Sequence, residues 1–163
     1  IENKKFPMNI QIIKEKNEIL NTGGGILNLI NYSDDNDFII FNPDTLWHKD
    51  YLHEITQMQN FYFSNKLNNL LLLSSKELSF DKNFLGDFTL ENNLIKKNEK
   101  NDLIYIGCQI LNKSLFKEYK VSNFSITKIW NNLRKENKLN GFQSKKKFYH
   151  LTNLDVFKKL KDL

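Results

Sequence analysis

The sequence predicts an α/β domain in three layers, with a mixed but mainly parallel sheet. Short apolar segments rich in isoleucine, leucine and phenylalanine alternate along the chain with segments of helical periodicity, which is the pattern of helices packed on a sheet. The central apolar segments carry few polar residues, as is typical of parallel strands covered on both faces. No repeat or linker interrupts residues 1–163, so we expect one domain.

The first half of the chain is predicted to hold three strands and two helices. Residues 9–15 alternate and are rich in isoleucine, which favours a strand. Residues 37–44 form a continuous apolar run ended by Asn-Pro-Asp, which indicates a strand buried on both faces, and residues 68–76 form another buried run. The helices are predicted over 26–33, with Ile26, Leu27, Leu29 and Ile30 apolar, and over 49–61, with Leu52, Ile55, Met58 and Gln59 at helical spacing.

The second half is predicted to begin with a hairpin over 86–97, with Asn92 and Asn93 at its turn. A long strand over 101–112 follows, then a Ser/Asn-capped helix over 122–137 and a strand and turn over 141–150. A closing helix over 152–163 has Thr152 or Asn153 as its N-cap. One face of the helix over 122–137 is apolar and comprises Ile126, Ile129, Trp130 and Leu133.

Charge and composition limit the kinds of function that the sequence is expected to have. The net charge is +5, from 24 basic and 19 acidic residues, and Arg134 is the only arginine. The lysines are scattered, which favours a solvated basic surface over a nucleic-acid interface. No segment reaches the roughly 18 apolar residues of a membrane span, and residues 1–10 lack the apolar region of a signal peptide. Cys108 is the single cysteine and is expected to be a buried thiol. Together these features predict a cytoplasmic protein without membrane partners.

Thr22, Gly23, Gly24 and Gly25 form the first candidate site. They hold three of the 6 glycines of the chain, between a predicted strand and a predicted helix. Ligands of open α/β sheets bind beyond the carboxyl ends of the strands, and the free N–H groups of a helix N-terminus favour anions or carbonyl oxygens. The segment is therefore either a turn or a loop that lies against a ligand.

Asp44 is the second candidate, at the end of an apolar strand. A carboxylate there is either a cap or a ligand of Mg²⁺ bound together with phosphates. The run Lys145–Lys147 is either a solvated surface or a phosphate contact. His48 and His53 are five residues apart, a spacing that does not place them on one helical face.

The order of five motifs carries a family resemblance. "NTGGGI", "FIIFNPD", "GDF", "YIGCQILNKSLF" and "FYHLTN" follow the order of motifs in the sugar-1-phosphate nucleotidyltransferases, or NDP-sugar pyrophosphorylases. The chain most resembles the branch of the N-acetylmuramate-1-phosphate uridylyltransferases, with E-T-G-G-G-I, V-N-G-D, G-D-F, F-x-G-I-x-V-L and W-x-D-V-G-T. The resemblance covers essentially the whole chain and implies a Rossmann-like, GT-A-like nucleotidyltransferase fold.

The resemblance also implies a reaction and its residues. A sugar-1-phosphate oxygen attacks the α-phosphorus of an NTP and releases pyrophosphate, which depends on positioning and charge neutralisation. Asp44 matches the catalytic aspartate that holds Mg²⁺, and His150 stands where the family has a second metal-binding aspartate. Residues 22–25 match the segment that lies against the nucleobase. Gly86 and Gly107 match the sugar pocket.

Some positions depart from the family pattern. No G-x-G-x-R-x-x-P motif is present, so the domain is expected to lack the family's N-terminal strand, loop and helix and to have little or no activity alone. An N-terminal segment or a second copy of the chain would cover the apolar surface that this leaves. Asn21 replaces glutamate and Pro43 replaces glycine. His150 indicates weakened catalysis, a different metal, or a histidine hydrogen-bonded at a helix start.

Three functions therefore follow as hypotheses. The first is nucleotidyl transfer by the intact protein, with NTP and sugar-1-phosphate as partners and Mg²⁺ as cofactor. The second is a non-catalytic relative that binds a nucleotide or NDP-sugar in a regulatory or interaction role. The third is a basic nucleic-acid-binding domain, for which a steep salt dependence of binding would be the sign; no patch in the sequence indicates it.

Overall fold

The computed structural model describes residues 7–15 and 18–161, and within these it has four α-helices and six β-strands. The helices are α1 (Asn21–Ile30), α2 (Tyr51–Ser64), α3 (Thr127–Lys135) and α4 (Leu154–Lys161). The strands are β1 (Asp37–Phe41), β2 (Asn69–Ser75), β3 (Thr89–Glu91), β4 (Leu94–Lys96), β5 (Leu103–Asn112) and β6 (Gly141–Ser144). None of these four helices combines the length and the apolar character needed to span a membrane.

The main sheet is mixed, with the strand order β1-β5-β2-β6. β5 runs antiparallel to both β1 and β2, whereas β2 and β6 are parallel. The α/β class and the mixed sheet are confirmed, but the mainly parallel arrangement is wrong, because two of the three neighbouring pairs are antiparallel. Helices cover both faces of β5, so this strand has the continuous apolar pattern of a parallel strand although it runs the other way.

Helices pack on both faces of this sheet and define two apolar clusters. One cluster lies under α1 and α3 and includes Ile26, Ile30, Leu71, Leu111, Ile129 and Trp130. The other lies under α2 and includes Tyr51, Met58, Tyr62, Leu70, Leu72 and Ile110. β2 and β5 contribute alternate side chains to the two clusters, and burial on both faces explains their nearly unbroken apolar sequence.

β1 is a strand as expected, and its two faces pack on the two apolar clusters through Phe38 and Ile40 and through Ile39, but they are only partly buried. It pairs only with β5 among the described residues and lies at the edge of the sheet. Its side chains are half-buried or, for Phe41, exposed. An apolar run followed by Asn-Pro-Asp indicates a strand, but it does not say whether a neighbour lies on each side.

Residues 9–15 are irregular, so the strand predicted there is wrong. Ile10 and Ile12 are exposed, and none of the described strands pairs with this segment. A strand is stabilised by backbone hydrogen bonds to a neighbouring strand. Alternation of apolar and polar side chains does not by itself provide such a neighbour.

The buried face of α2 overlaps the predicted face only in part, since Ile55 also packs against the core. Met58 is fully buried, but Leu52 is 72% exposed. The buried residues are Tyr51, Glu54, Met58 and Tyr62, which also have helical spacing and include a carboxylate. The spacing therefore predicted Met58 and Ile55 correctly but placed the centre of the buried face too close to Leu52.

Other local predictions are confirmed. Asn92 and Asn93 have φ of 50° and 63° at the β3–β4 turn, as a type I′ hairpin requires. Asn153 Oδ1 accepts a hydrogen bond from Val156 N at 2.9 Å, at the start of α4. Cys108 is a free, fully buried cysteine, and burial raises the pKa of its thiol to about 12, so it is an inert core residue.

Candidate functional site

Asp44 and His150 lie side by side beyond the end of β1. Thr45 pairs with His150 in an antiparallel bridge, and Leu151 N donates to the Asp44 carbonyl at 2.8 Å. This two-stranded contact brings His150 Nδ1 to 3.7 Å from Asp44 Oδ1. The structure therefore joins two residues that are far apart in the sequence and that the resemblance assigns to one metal site.

The His150 ring is held by packing. It stacks on Phe148 with ring centroids 5.7 Å apart and meets the edge of Phe84 at 5.6 Å. Its side chain is 22% exposed, compared with 49% for Asp44. Thr45 Oγ1 lies 3.5 Å from His150 Nδ1 and donates its hydrogen to the Ile106 carbonyl at 3.1 Å. Nδ1 consequently faces the Asp44 carboxylate from a fixed ring.

Gly107 packs against Thr45, the residue that follows Asp44. It has φ of +85°, and a Cβ there would lie 2.9 Å from Thr45 Oγ1 and 3.0 Å from Asn42 Cβ. Its carbonyl accepts from Asn42 N at 2.7 Å, which anchors the segment that leads to Asp44. A glycine is required here because both the backbone conformation and the close approach exclude a side chain.

Tyr105 is a neighbour of the site that sequence reasoning missed. Its hydroxyl is buried and has no hydrogen-bond partner among residues 7–15 and 18–161, and burial, with smaller contributions from Cys108 and Asp44, raises the pKa of Tyr105 far above its ordinary value. Its ring meets Trp130 edge-on at 4.8 Å. In the sequence, a tyrosine in an apolar strand is indistinguishable from a core residue.

The glycine segment is the first turn of α1, so the expectation of a loop is corrected. Gly23 N and Gly24 N donate to the Phe124 carbonyl at 2.9 and 3.1 Å. A Cβ on Gly24 would lie 1.9 Å from the Ser122 carbonyl oxygen. These glycines allow another backbone segment of the same chain to approach α1.

Thr22 takes part in the same contact, because its Oγ1 accepts from Ile126 N at 3.0 Å. Gly25 is half-buried, and the nearest described atom to an ideal Cβ there is a carboxylate oxygen of Glu15, at 3.3 Å. Gly86 packs against Asn101, whose carbonyl oxygen would lie 2.1 Å from a Cβ. All of these glycines therefore pack against other parts of the chain, and Gly107 does so against Asn42 and Thr45, which flank the segment that carries Asp44.

The donor set at Asp44 does not suit Mg²⁺ as a pair. Mg²⁺ prefers six oxygen ligands; the Asp44 carboxylate fits this preference and the His150 imidazole does not. Within residues 7–15 and 18–161, no group of three or more His, Cys, Asp and Glu side chains could hold a metal ion. A cation here would take most of its ligands from water or a phosphate.

The lysine run directly follows β6 in the chain. Lys145, Lys146 and Lys147 line a cavity of about 730 Å³, together with Leu46, Trp47, His48, Asp50, Tyr51, Tyr149 and Leu160. This position is compatible with both interpretations of the lysine run, a solvated surface and a phosphate contact.

Glu54 anchors the start of the lysine run. This buried carboxylate accepts hydrogen bonds from Ser144 Oγ and, at 2.9 Å, from Lys145 N. We expect Glu54→Gln to lower the free energy of unfolding by about 2 kcal/mol, because the new amide NH₂ would face one of these donors. Urea unfolding measures the change. The control is Glu77→Gln, at an exposed glutamate, and an equal effect of both variants would show that Glu54 acts only through its charge.

The fold is that of the sugar-1-phosphate nucleotidyltransferases, to which the chain is structurally similar over about 88% of its length. One similar structure is HddC from Yersinia pseudotuberculosis, complexed with GMP-PN, with a TM-score of 0.63 and 23% identity over 88% of this chain and 62% of HddC. A UDP-glucose pyrophosphorylase complexed with UDP-glucose has a TM-score of 0.66 and 18% identity, over 89% of this chain and 62% of its own. The UDP-glucose pyrophosphorylase from Acinetobacter baumanii has a TM-score of 0.67 and 12% identity, over 88% and 55%.

The chain therefore spans between 55% and 62% of the length of these three solved structures. No family model and no curated protein sequence matches it. At this level of identity, the likeness establishes a shared fold.

Proposed function

We propose that the polypeptide containing this chain transfers a nucleotidyl group from an NTP to a sugar-1-phosphate, giving an NDP-sugar and pyrophosphate. Residues 1–163 would form most of one Rossmann-like, GT-A-like nucleotidyltransferase domain. One observation supports the proposal above all: in a fold shared with these enzymes over nearly the whole chain, His150 Nδ1 lies 3.7 Å from Asp44 Oδ1, just beyond the end of β1.

Each candidate residue has a proposed role. Asp44 is the catalytic residue that holds the divalent cation, Mg²⁺ by resemblance, with His150 beside it. Thr22, Gly23, Gly24 and Gly25 line the nucleobase site, and Gly86 and Gly107 line the sugar site. The ligands of two similar proteins, GMP-PN and UDP-glucose, support a nucleotide and an NDP-sugar as ligand classes.

The proposal includes a further strand, loop and helix that contact the triphosphate, from the same polypeptide or from a second copy. Two observations support it. The similar solved chains are longer, and β1 is an apolar edge strand with no described neighbour on its outer side. Such edges invite pairing with another strand.

The test is pyrophosphate release by the longest natural polypeptide that contains these residues. Each NTP is combined with a panel of sugar-1-phosphates, with Mg²⁺ or Mn²⁺. We expect release that requires a sugar phosphate and falls at least about 100-fold in Asp44→Asn, since the variant loses the charge that binds the cation. Asp50→Asn, at an exposed aspartate of the following loop, is the matched control. Undiminished release in Asp44→Asn would remove Asp44 from the mechanism.

A non-catalytic binding protein is the second candidate. His150 replaces an acidic ligand of the family pattern, and the amides of Gly23 and Gly24 are already bonded to Phe124. Both observations favour reduced catalysis. Saturable binding of an NTP or NDP-sugar without pyrophosphate release from any substrate pair would support this candidate over the enzyme.

A further inference from the structure

We propose that Asp44 and His150 bind a first-row transition-metal dication, with Mn²⁺ as the probe, in preference to Mg²⁺. The ligand atoms would be Asp44 Oδ1 and His150 Nδ1. This inference rests on the proposed function only in placing the cation at Asp44. It changes which cation the site selects.

The separation of the two donors suits one shared ion. Oδ1 and Nδ1 are 3.7 Å apart. Metal–oxygen and metal–nitrogen bonds of about 2.0–2.2 Å sum to slightly more than this distance, so an ion can touch both atoms in a bent arrangement. Asp44 is half exposed, which leaves the other coordination positions open to water or a phosphate.

The surroundings hold the imidazole in place. Phe148 and Phe84 pack against its ring, and such packing reduces the entropy lost when a ligand is fixed on binding. Thr45 Oγ1 gives its hydrogen to Ile106, so that a lone pair remains 3.5 Å from His150 Nδ1. Thr45 Oγ1 can therefore accept a hydrogen bond from Nδ1 when this nitrogen carries a proton. When Nδ1 binds a cation, the same oxygen faces that cation.

Ligand chemistry sets the selectivity. Mg²⁺ requires oxygen ligands and dehydrates reluctantly, so replacing a carboxylate by an imidazole removes one of its few protein ligands. Transition-metal dications accept imidazole readily, and Mn²⁺ lies at the weak end of their affinity series. A preference seen with Mn²⁺ therefore implies a stronger preference with Co²⁺ or Zn²⁺.

A second histidine–aspartate pair must be removed from the measurement. His48 Nδ1 lies 3.2 Å from Asp50 Oδ2, and both side chains are at least 65% exposed. The His48→Ala variant therefore serves as the background for every other substitution. It leaves Asp44 and His150 intact.

The test measures free Mn²⁺ by electron paramagnetic resonance in the longest natural polypeptide carrying His48→Ala. We expect one Mn²⁺ site whose affinity falls at least about 10-fold in His150→Ala and in Asp44→Asn. We expect Mg²⁺ to displace Mn²⁺ at least about 10-fold more easily in His150→Asp, which restores an oxygen ligand. Thermal unfolding without metal confirms that each variant is folded.

Two results would overturn the inference. One is an Mn²⁺ affinity unchanged by His150→Ala, which would leave His150 as a histidine hydrogen-bonded to Thr45. The other is equal displacement by Mg²⁺ with histidine or aspartate at this position. Pyrophosphate release with Mg²⁺ but no His150-dependent Mn²⁺ binding refutes this inference alone, whereas His150-dependent binding without release supports it and contradicts the proposed function.

Discussion

Replacement of Gly24 by alanine is expected to lower the free energy of unfolding by about 3 kcal/mol, the upper part of the usual range for overpacking. The new Cβ would lie 1.9 Å from the carbonyl oxygen of Ser122, which is backbone and cannot rotate away. Relief requires α1 to separate from residues 122–124, and this would break the bonds from the Gly23 and Gly24 amides to Phe124. Urea unfolding followed by tryptophan fluorescence measures the loss.

Gly25→Ala is the matched control on the next residue of α1. Among the described residues, its Cβ would approach only a carboxylate oxygen of Glu15, at 3.3 Å, which is side chain and can shift by a few tenths of an ångström while the other oxygen stays bonded to Leu20 N. Since alanine favours helix by about 1 kcal/mol over glycine, Gly25→Ala is expected to be neutral or slightly stabilising. Equal destabilisation by both variants would show that flexibility, and not the approach of Ser122, makes these glycines necessary.

Met58→Ala should be the other strongly destabilising substitution, by about 3 kcal/mol, because it removes a fully buried side chain and leaves a cavity. Met58 packs with Tyr62 and Leu72 between α2 and the sheet. The same urea experiment measures it.

Leu52→Ala is the control for Met58, since it lies in the same helix but is 72% exposed. Its expected change is within about 0.5 kcal/mol. A large effect of Leu52→Ala in the longest natural polypeptide would mean that this face of α2 is covered there.

Two of the three glycines in α1 have a clear structural reason. Gly23 and Gly24 permit the close contact of α1 with Phe124 and Ser122, whereas Gly25 makes no comparable backbone contact within the described part of the chain. A role of Gly25 in binding the nucleobase is therefore the part of the proposal that internal packing does not already explain. The effect of Gly25→Ala on nucleotide affinity would test it without disturbing the fold.

Patterns of a few neighbouring residues correctly predicted the hairpin turn and the N-cap of α4. The hairpin at Asn92 and Asn93 depends on residues that tolerate positive φ, and the cap at Asn153 depends on one side-chain oxygen. One local prediction is wrong: α3 begins at Thr127, and Ile126 stands at its N-cap in place of the expected Ser or Asn. The other errors occurred where the outcome depended on neighbours. Residues 9–15 alternate correctly but have no described partner strand, and the pattern in α2 could not show which face the sheet would cover.

The candidate site was predictable in part. The family resemblance assigned Asp44 and His150 to one metal site, and the structure brings them to 3.7 Å. Two partners of His150 were not predictable, because Thr45 and Phe84 meet it only through the pairing of distant segments. Tyr105 was missed for the same reason.

The sequence by itself determined the α/β class, most helices and strands, and the residue types available at the site, because periodicity, capping and turn chemistry act over a few residues. The tertiary structure alone decided the direction of β5, the edge position of β1 and the contact of α1 with residues 122–124. It also decided the orientation of His150 towards Asp44. These features depend on which distant segments become neighbours, and contacts between segments far apart in the chain have no signature within either segment.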